Sequence, residues 1–231
     1  NAYDNITRMC TYGLKYKATG LLNTDWGDFG HINHPEFSTA GLIYGAAFSW
    51  NGNLLSFDEI NRKISRLEYG DGSGQFLSLL AEISNYTVAT WREIVCFKET
   101  RQNRIKEKPW GTVLENIDFQ KAGEANRALD DISYKIYDIL SGAKTEKRHL
   151  YEAYLKAIDG IKIWNEVGAA VVCKDKDKGF LSYAAQLAVR LEYWYRDYKE
   201  MWRSVSKESE LYRIGELVFW YCDFLRDMSN N

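Results

Sequence analysis

Apolar residues recur at three- and four-residue steps over most of this chain, the spacing of helices with one buried face. The pattern is plainest late in the sequence. There Leu187, Leu191, Trp194, Tyr198 and Trp202 alternate with Arg190, Arg196, Asp197 and Lys199. It also opens the chain, where Ile6, Met9, Cys10, Gly13 and Leu14 predict a helix over residues 3–17. Residues 20–24 break it: a short apolar run that predicts a buried strand, followed by a loop through His31 and Pro35. A helix is then predicted over 38–50, with Gly41, Gly45, Ala46 and Ala47 small enough to pack closely on a sheet. After a break at residues 51–53, helices are predicted over 56–69, 74–106, 118–142, 146–174, 179–205 and 208–228. Ser56 with Glu59 three residues on is a capping box for the first of these.

Composition narrows the picture. A chain of 231 residues forms one large domain or two small ones. Its formal charge of −2 gives no electrostatic reason to bind nucleic acid or an anionic membrane. No apolar run is long enough to span a bilayer. With 8 Trp and 16 Tyr at largely helical spacing, the aromatics are expected to fill the core and the seams between helices. The 2 prolines, Pro35 and Pro109, fall in predicted loops, which favours long uninterrupted helices. Cys10, Cys96, Cys173 and Cys222 are far apart and read as buried free thiols, with neither a disulfide nor a zinc site indicated. The chain opens at Asn1, directly in an amphipathic pattern, and so reads as a trimmed or truncated product.

Helix, strand, loop, helix is the rhythm of a parallel α/β unit, in which functional loops follow the C-terminal ends of strands. Trp26 and Asp28 fall at that position, beside Asp25 and His31. An indole offers a face to the apolar side of a sugar ring, and carboxylates accept its hydroxyls, so the rim suits a carbohydrate. A structural turn around a buried Trp is the competing reading. Asp28, His31 and His34 match no metal-ligand spacing, and no metal or other cofactor is expected. Asp58 and Glu59 are adjacent, point apart on a helix and suit its positive end better than acid–base chemistry. Residues 70–74 follow a helix and lack the Lys-Ser/Thr of a phosphate loop.

Thr24, Asp25, Trp26, Gly27, Asp28, Phe29, Gly30 and His31, then Ser38 to Gly41 and Tyr44 to Asn51, resemble the end of the catalytic barrel in family-20 glycoside hydrolases, the β-N-acetylhexosaminidases. The segments beginning at Phe57, Ile64 and Tyr195 are similar to a helical C-terminal domain in a bacterial branch of that family. The resemblance implies a mainly α chain. The last strand and helices of a (β/α)8 TIM barrel occupy residues 1–55, and an all-helical C-terminal bundle occupies 56–231.

In such enzymes the Trp of this motif lines the pocket for the terminal sugar, a role that carries over to Trp26. The acid two residues on accepts the O4 and O6 hydroxyls, a role that carries over to Asp28. Many members have Glu there, so Asp28 reaches a methylene less far. His31 joins the same rim. The implied chemistry is retaining and substrate-assisted: a Glu protonates the leaving oxygen while the preceding Asp orients the 2-acetamido group. That pair belongs to an earlier barrel strand, and this chain holds no catalytic residue by this reading. The implied partners are the terminal N-acetylhexosamine of a glycan and the remainder of the barrel. The helical part would brace the barrel or form a homodimer. The alternative is a non-catalytic helical module that binds carbohydrate or protein.

Overall fold

The structure, a computed structural model, describes residues 2–26, 32–102, 114, 117–174 and 177–230. The chain is mainly α. Its helices are α1 (Ala2–Lys15), α2 (Thr39–Asn51), α3 (Phe57–Leu67), α4 (Phe76–Ile83), α5 (Trp91–Arg101), α6 (Phe119–Gly142), α7 (Arg148–Val172), α8 (Lys178–Val205) and α9 (Leu211–Asn230). No strand occurs among the described residues. None of their helices is long and apolar enough to cross a membrane. The chain forms two compact units. The first comprises Asn1–Gly27, Asn33–Glu82 and Lys135–Tyr154, and the second Asp28–Ile32, Ile83–Tyr134 and Leu155–Asn231. The first unit therefore continues past residue 55 and takes in the join between α6 and α7.

In the first unit, Tyr3 of α1 sets its ring edge-on against Tyr44, Phe48 and Phe57, at centroid distances of 5.7, 6.0 and 5.2 Å. Its hydroxyl donates to the Leu55 carbonyl at 2.8 Å, which satisfies the polar edge of a ring otherwise packed on hydrocarbon. Helix α2 ends at Gly52, whose φ of +65° is the left-handed turn that glycine permits. Ser56 and Glu59 then form the expected capping box, and α3 buries Ile60, Asn61, Ile64 and Ser65. Asp71 closes the next turn. One of its carboxylate oxygens accepts the Ser73 amide and hydroxyl, and the other accepts the amides of Gln75 and Phe76 at 2.7 and 2.9 Å. Burial alone would raise this carboxyl's pKa; those hydrogen bonds hold it below the ordinary value. The amides at the start of α4 are thus taken by the chain's own carboxylate rather than left for a phosphate.

The core of the second unit lies between α8 and α9, with α5 and α7 packed on it. Leu187, Leu191, Val218, Tyr221 and Leu225 are fully buried there. Trp164 meets Trp91, Trp194 and Tyr221 edge-to-face at 5.5 to 5.8 Å. Gly215 lets α9 approach α8: a Cβ there would stand 2.6 Å from the Tyr195 hydroxyl. Glu166 is a half-buried anchor. It takes Arg190 through two nitrogens, at 2.6 and 3.0 Å, together with the Tyr183 hydroxyl and the Asn126 amide. Burial opposes its ionisation, and these donors outweigh burial and lower its pKa. The cysteines are free thiols; Cys10, Cys96 and Cys222 are buried and Cys173 half-buried. Burial pushes the Cys222 thiol up to about 12.

Two expectations from the sequence need correction. Residues 20–24 are irregular rather than a strand, since no second strand among the described residues offers them a ladder. Residues 74–106 are not one helix: α4 stops, a 3₁₀ turn follows over Ser84–Tyr86, and α5 starts at a second capping box made by Thr90 and Glu93. The break persists because Asn165 of α7 satisfies it. The Asn165 Oδ1 accepts the amides of Val88 and Ala89 at 3.0 and 3.2 Å, while its Nδ2 donates to the Tyr86 carbonyl at 2.9 Å.

Replacing Asn165 by Ala orphans these buried groups together. It is expected to cost about 2–4 kcal/mol of stability, read as a lower urea midpoint for the second unit. A loss under about 0.5 kcal/mol would mean that water replaces the side chain there.

Candidate functional site

Residues 20–26 join α1 to the loop that the sequence marks as the site. They are seated on α2 by Asn23, whose Nδ2 donates to the Gly41 carbonyl at 2.9 Å. Gly45 makes the seat: a Cβ there would fall 2.3 Å from the same amide nitrogen. Exposure alternates along the segment. Leu21 and Asn23 are half-buried, and Leu22, at 86 % exposure, and Thr24 face outwards. That is the side-chain alternation of an extended chain, without the ladder.

Trp26 ends the segment and is 76 % exposed. Its indole N–H donates to Thr24 Oγ1 at 2.9 Å, so the polar edge is occupied. Asp25 is engaged too, one of its oxygens accepting the Ser38 hydroxyl. An indole presented in this way can stack on a flat apolar surface, and the neighbouring carboxylate is tied to the start of α2. A structural turn around a buried Trp is not what this geometry is. Asp28 and His31 lie outside the described residues.

Beyond the loop the chain is held firmly. The imidazole of His34 accepts the Glu36 amide through Nδ1 at 3.1 Å and caps the 3₁₀ turn Pro35–Ser38. Burial lowers the His34 pKa, so the ring is neutral, with its proton on Nε2. The Tyr69 hydroxyl donates to Glu36 Oε1 at 2.6 Å, and the Tyr154 hydroxyl donates to the Glu36 carbonyl at 2.9 Å. The two hydroxyls are 3.0 Å apart. Sequence reading missed this latch, as it missed Asn23. Tyr69 and Tyr154 carry only the signal of core aromatics, and nothing near Glu36 marks it as a paired carboxylate.

No group of His, Cys, Asp and Glu among the described residues is arranged to hold a metal ion. The second unit has a cavity of about 410 Å³ lined by Tyr86, Val88, Glu93, Leu114, Ile117, Lys121, Glu124 and Ala125. Its carboxylates serve local structure: Glu93 takes the Thr90 amide and hydroxyl, and Glu124 takes the Gln120 side-chain amide. Comparison with protein-family models, with curated proteins and with solved structures finds no match to this chain.

Burial raises the Glu36 pKa, against the lowering effect of its bond from Tyr69; Glu68 raises it further and His149 lowers it. An acid whose folded pKa lies above its unfolded one binds its proton more tightly when folded. The stability it lends is therefore full below the ordinary glutamate value and is lost as pH rises through the raised one. Glu36→Gln keeps an acceptor for Tyr69 and cannot ionise. Its stability relative to the native chain is expected to improve as pH rises above the ordinary glutamate value and to level off once the raised one is passed, measured by urea unfolding at each pH. A difference that stays flat with pH would dismiss Glu36 as the titrating group.

Proposed function

We propose that this chain is the C-terminal portion of a β-N-acetylhexosaminidase-like glycoside hydrolase, in which Trp26, Asp28 and His31 line the subsite for the non-reducing terminal sugar. In this reading residues 1–55 close a (β/α)8 barrel, and 56–231 form its helical extension. The general acid and the acetamido-orienting Asp are carried elsewhere in the protein. The observation that carries the proposal is the presentation of Trp26, largely exposed with its N–H already satisfied. That arrangement favours stacking on the apolar face of a pyranose over hydrogen bonding through the indole. The motif around it, from Thr24 to His31, adds the acid that such a subsite needs.

Binding contacts without the proton donor give affinity and forgo most of the acceleration, because the donor acts on the leaving oxygen in the transition state. Residues 1–231 alone are therefore expected to release no product from an aryl N-acetylglucosaminide.

A second reading, a non-catalytic interaction module, is favoured by other exposed apolar side chains in the first unit, among them Leu14, Tyr16, Leu42 and Trp50. The two readings part on one experiment. Trp26→Ala and Asp28→Ala in the intact protein should each weaken binding of N-acetylglucosamine by about 2 kcal/mol, roughly 30-fold in Kd by calorimetry. Unchanged affinity in both variants would retire the hydrolase reading and leave the interaction module.

A further inference from the structure

We propose that the cavity of the second unit is a binding site for a small organic cation, an ammonium group carried on an apolar body. This inference owes nothing to the hydrolase reading. At about 410 Å³ the cavity has the size of a small-molecule site, in which an apolar lining is combined with a few placed polar groups. The apolar part of the lining is Val88, Leu114, Ile117 and Ala125. At Gly168 of α7 a Cβ would stand 3.2 Å from Ile117 Cδ1 and 3.3 Å from Leu114 Cδ2, so the glycine lets both side chains settle there. Leu114 is buried with a φ of +47°, a left-handed conformation that leucine rarely adopts and that persists only where its surroundings enforce it. The walls are held by the protein's own bonds. Fully buried Asn165 accepts the Val88 amide, donates to the Tyr86 carbonyl and donates again to Asn126 Oδ1 at 3.1 Å. One side chain thereby ties the wall at 86–88 to α6, the helix that carries Glu124 and Ala125.

The class of ligand follows from the polar part of the lining. Glu93 and Glu124 outnumber Lys121 there, so the lining carries an excess of negative charge. The capping box occupies Glu93 Oε2, which accepts both the amide and the hydroxyl of Thr90, and Gln120 occupies Glu124 Oε1. The other oxygen of each carboxylate accepts no hydrogen bond from a described residue. Each glutamate is thus positioned by one oxygen and keeps acceptor capacity on the second. Tyr86 adds an aromatic ring, whose face attracts a cation. Carboxylate acceptors beside an aromatic ring and hydrocarbon select an ammonium on an apolar body. A neutral molecule of the same shape forgoes the charge-assisted bonds, and an anion is repelled.

Calorimetric titration of the chain with benzylamine and with hexylamine, both protonated near neutral pH, tests this. Benzyl alcohol and benzoate serve as the neutral and anionic probes of matching shape. At least one of the two amines should saturate a single site with a Kd of about 1 mM or below. Benzyl alcohol should bind on the order of 10-fold more weakly than benzylamine, and benzoate not at all. Glu93→Gln keeps the capping box, which glutamine serves as well as glutamate, and Glu124→Gln alters an exposed side chain. Each should weaken amine binding on the order of 10-fold while the urea midpoint stays near that of the native chain. Absence of saturable binding by both amines overturns the proposal. Equal affinity for benzyl alcohol and benzylamine also overturns it, and leaves an apolar cavity only. Full amine affinity in both glutamine variants overturns it by placing the cation elsewhere.

Discussion

Within each unit, packed tyrosines hand their hydroxyls to main-chain carbonyls far away in the sequence. Tyr3 reaches Leu55, Tyr151 reaches Tyr69, Tyr154 reaches Glu36, Tyr198 reaches Ile32 and Tyr221 reaches Ile94, across sequence separations of 52, 82, 118, 166 and 127 residues. Each ring supplies apolar burial, and each hydroxyl must find an acceptor once it leaves water. The carbonyls of Leu55, Tyr69 and Ile32 lie outside the helices, so there one side chain fills a seam and pins an irregular segment. Those of Glu36 and Ile94 lie in helical turns and take the hydroxyl as a further partner. The aromatic richness of the chain is in this sense a substitute for a sheet: within each unit, long-range registry is carried by tyrosine hydroxyls. Deprotonating these groups is strongly opposed by burial, so the pins are insensitive to pH in the physiological range.

How far the fold could be read from the sequence follows from how local each determinant is. The start of α3 was legible because Ser56 and Glu59 are three residues apart, and the end of α2 because Gly52 announces itself. The break between α4 and α5 was not. Apolar spacing runs on past Ile83, and what sustains the interruption is Asn165, 77 residues from Val88. The capping box at Thr90 and Glu93 was a local signal that went unread. The apolar run at 20–24 was read as a buried strand and is irregular. A strand is a relation between two segments, however, and the described residues provide only one.

The candidate site divides along the same line. Trp26 stood out in the sequence because Gly, Asp and Trp lie close together there, and the structure shows it exposed. Its satisfied N–H required the position of Thr24. The latch on Glu36 could not be read, since Tyr69 and Tyr154 stand 33 and 118 residues from it and look like any core aromatic at helical spacing. Asn23 is a further case. A polar residue in an apolar run reads as a flaw, and it is the hook that seats the run on α2.

The Asn23 seat and the exposed indole belong to one short segment, and that couples them. Trp26 is fixed by a single hydrogen bond to Thr24, two residues back, on a backbone with no ladder of its own. A stacking platform contributes affinity in proportion to how little it must be ordered on binding. In the proposed reading, the direction in which the indole leaves the run is set by the seat of Asn23 on the Gly41 carbonyl, so loosening that seat would weaken the sugar subsite without touching the indole itself.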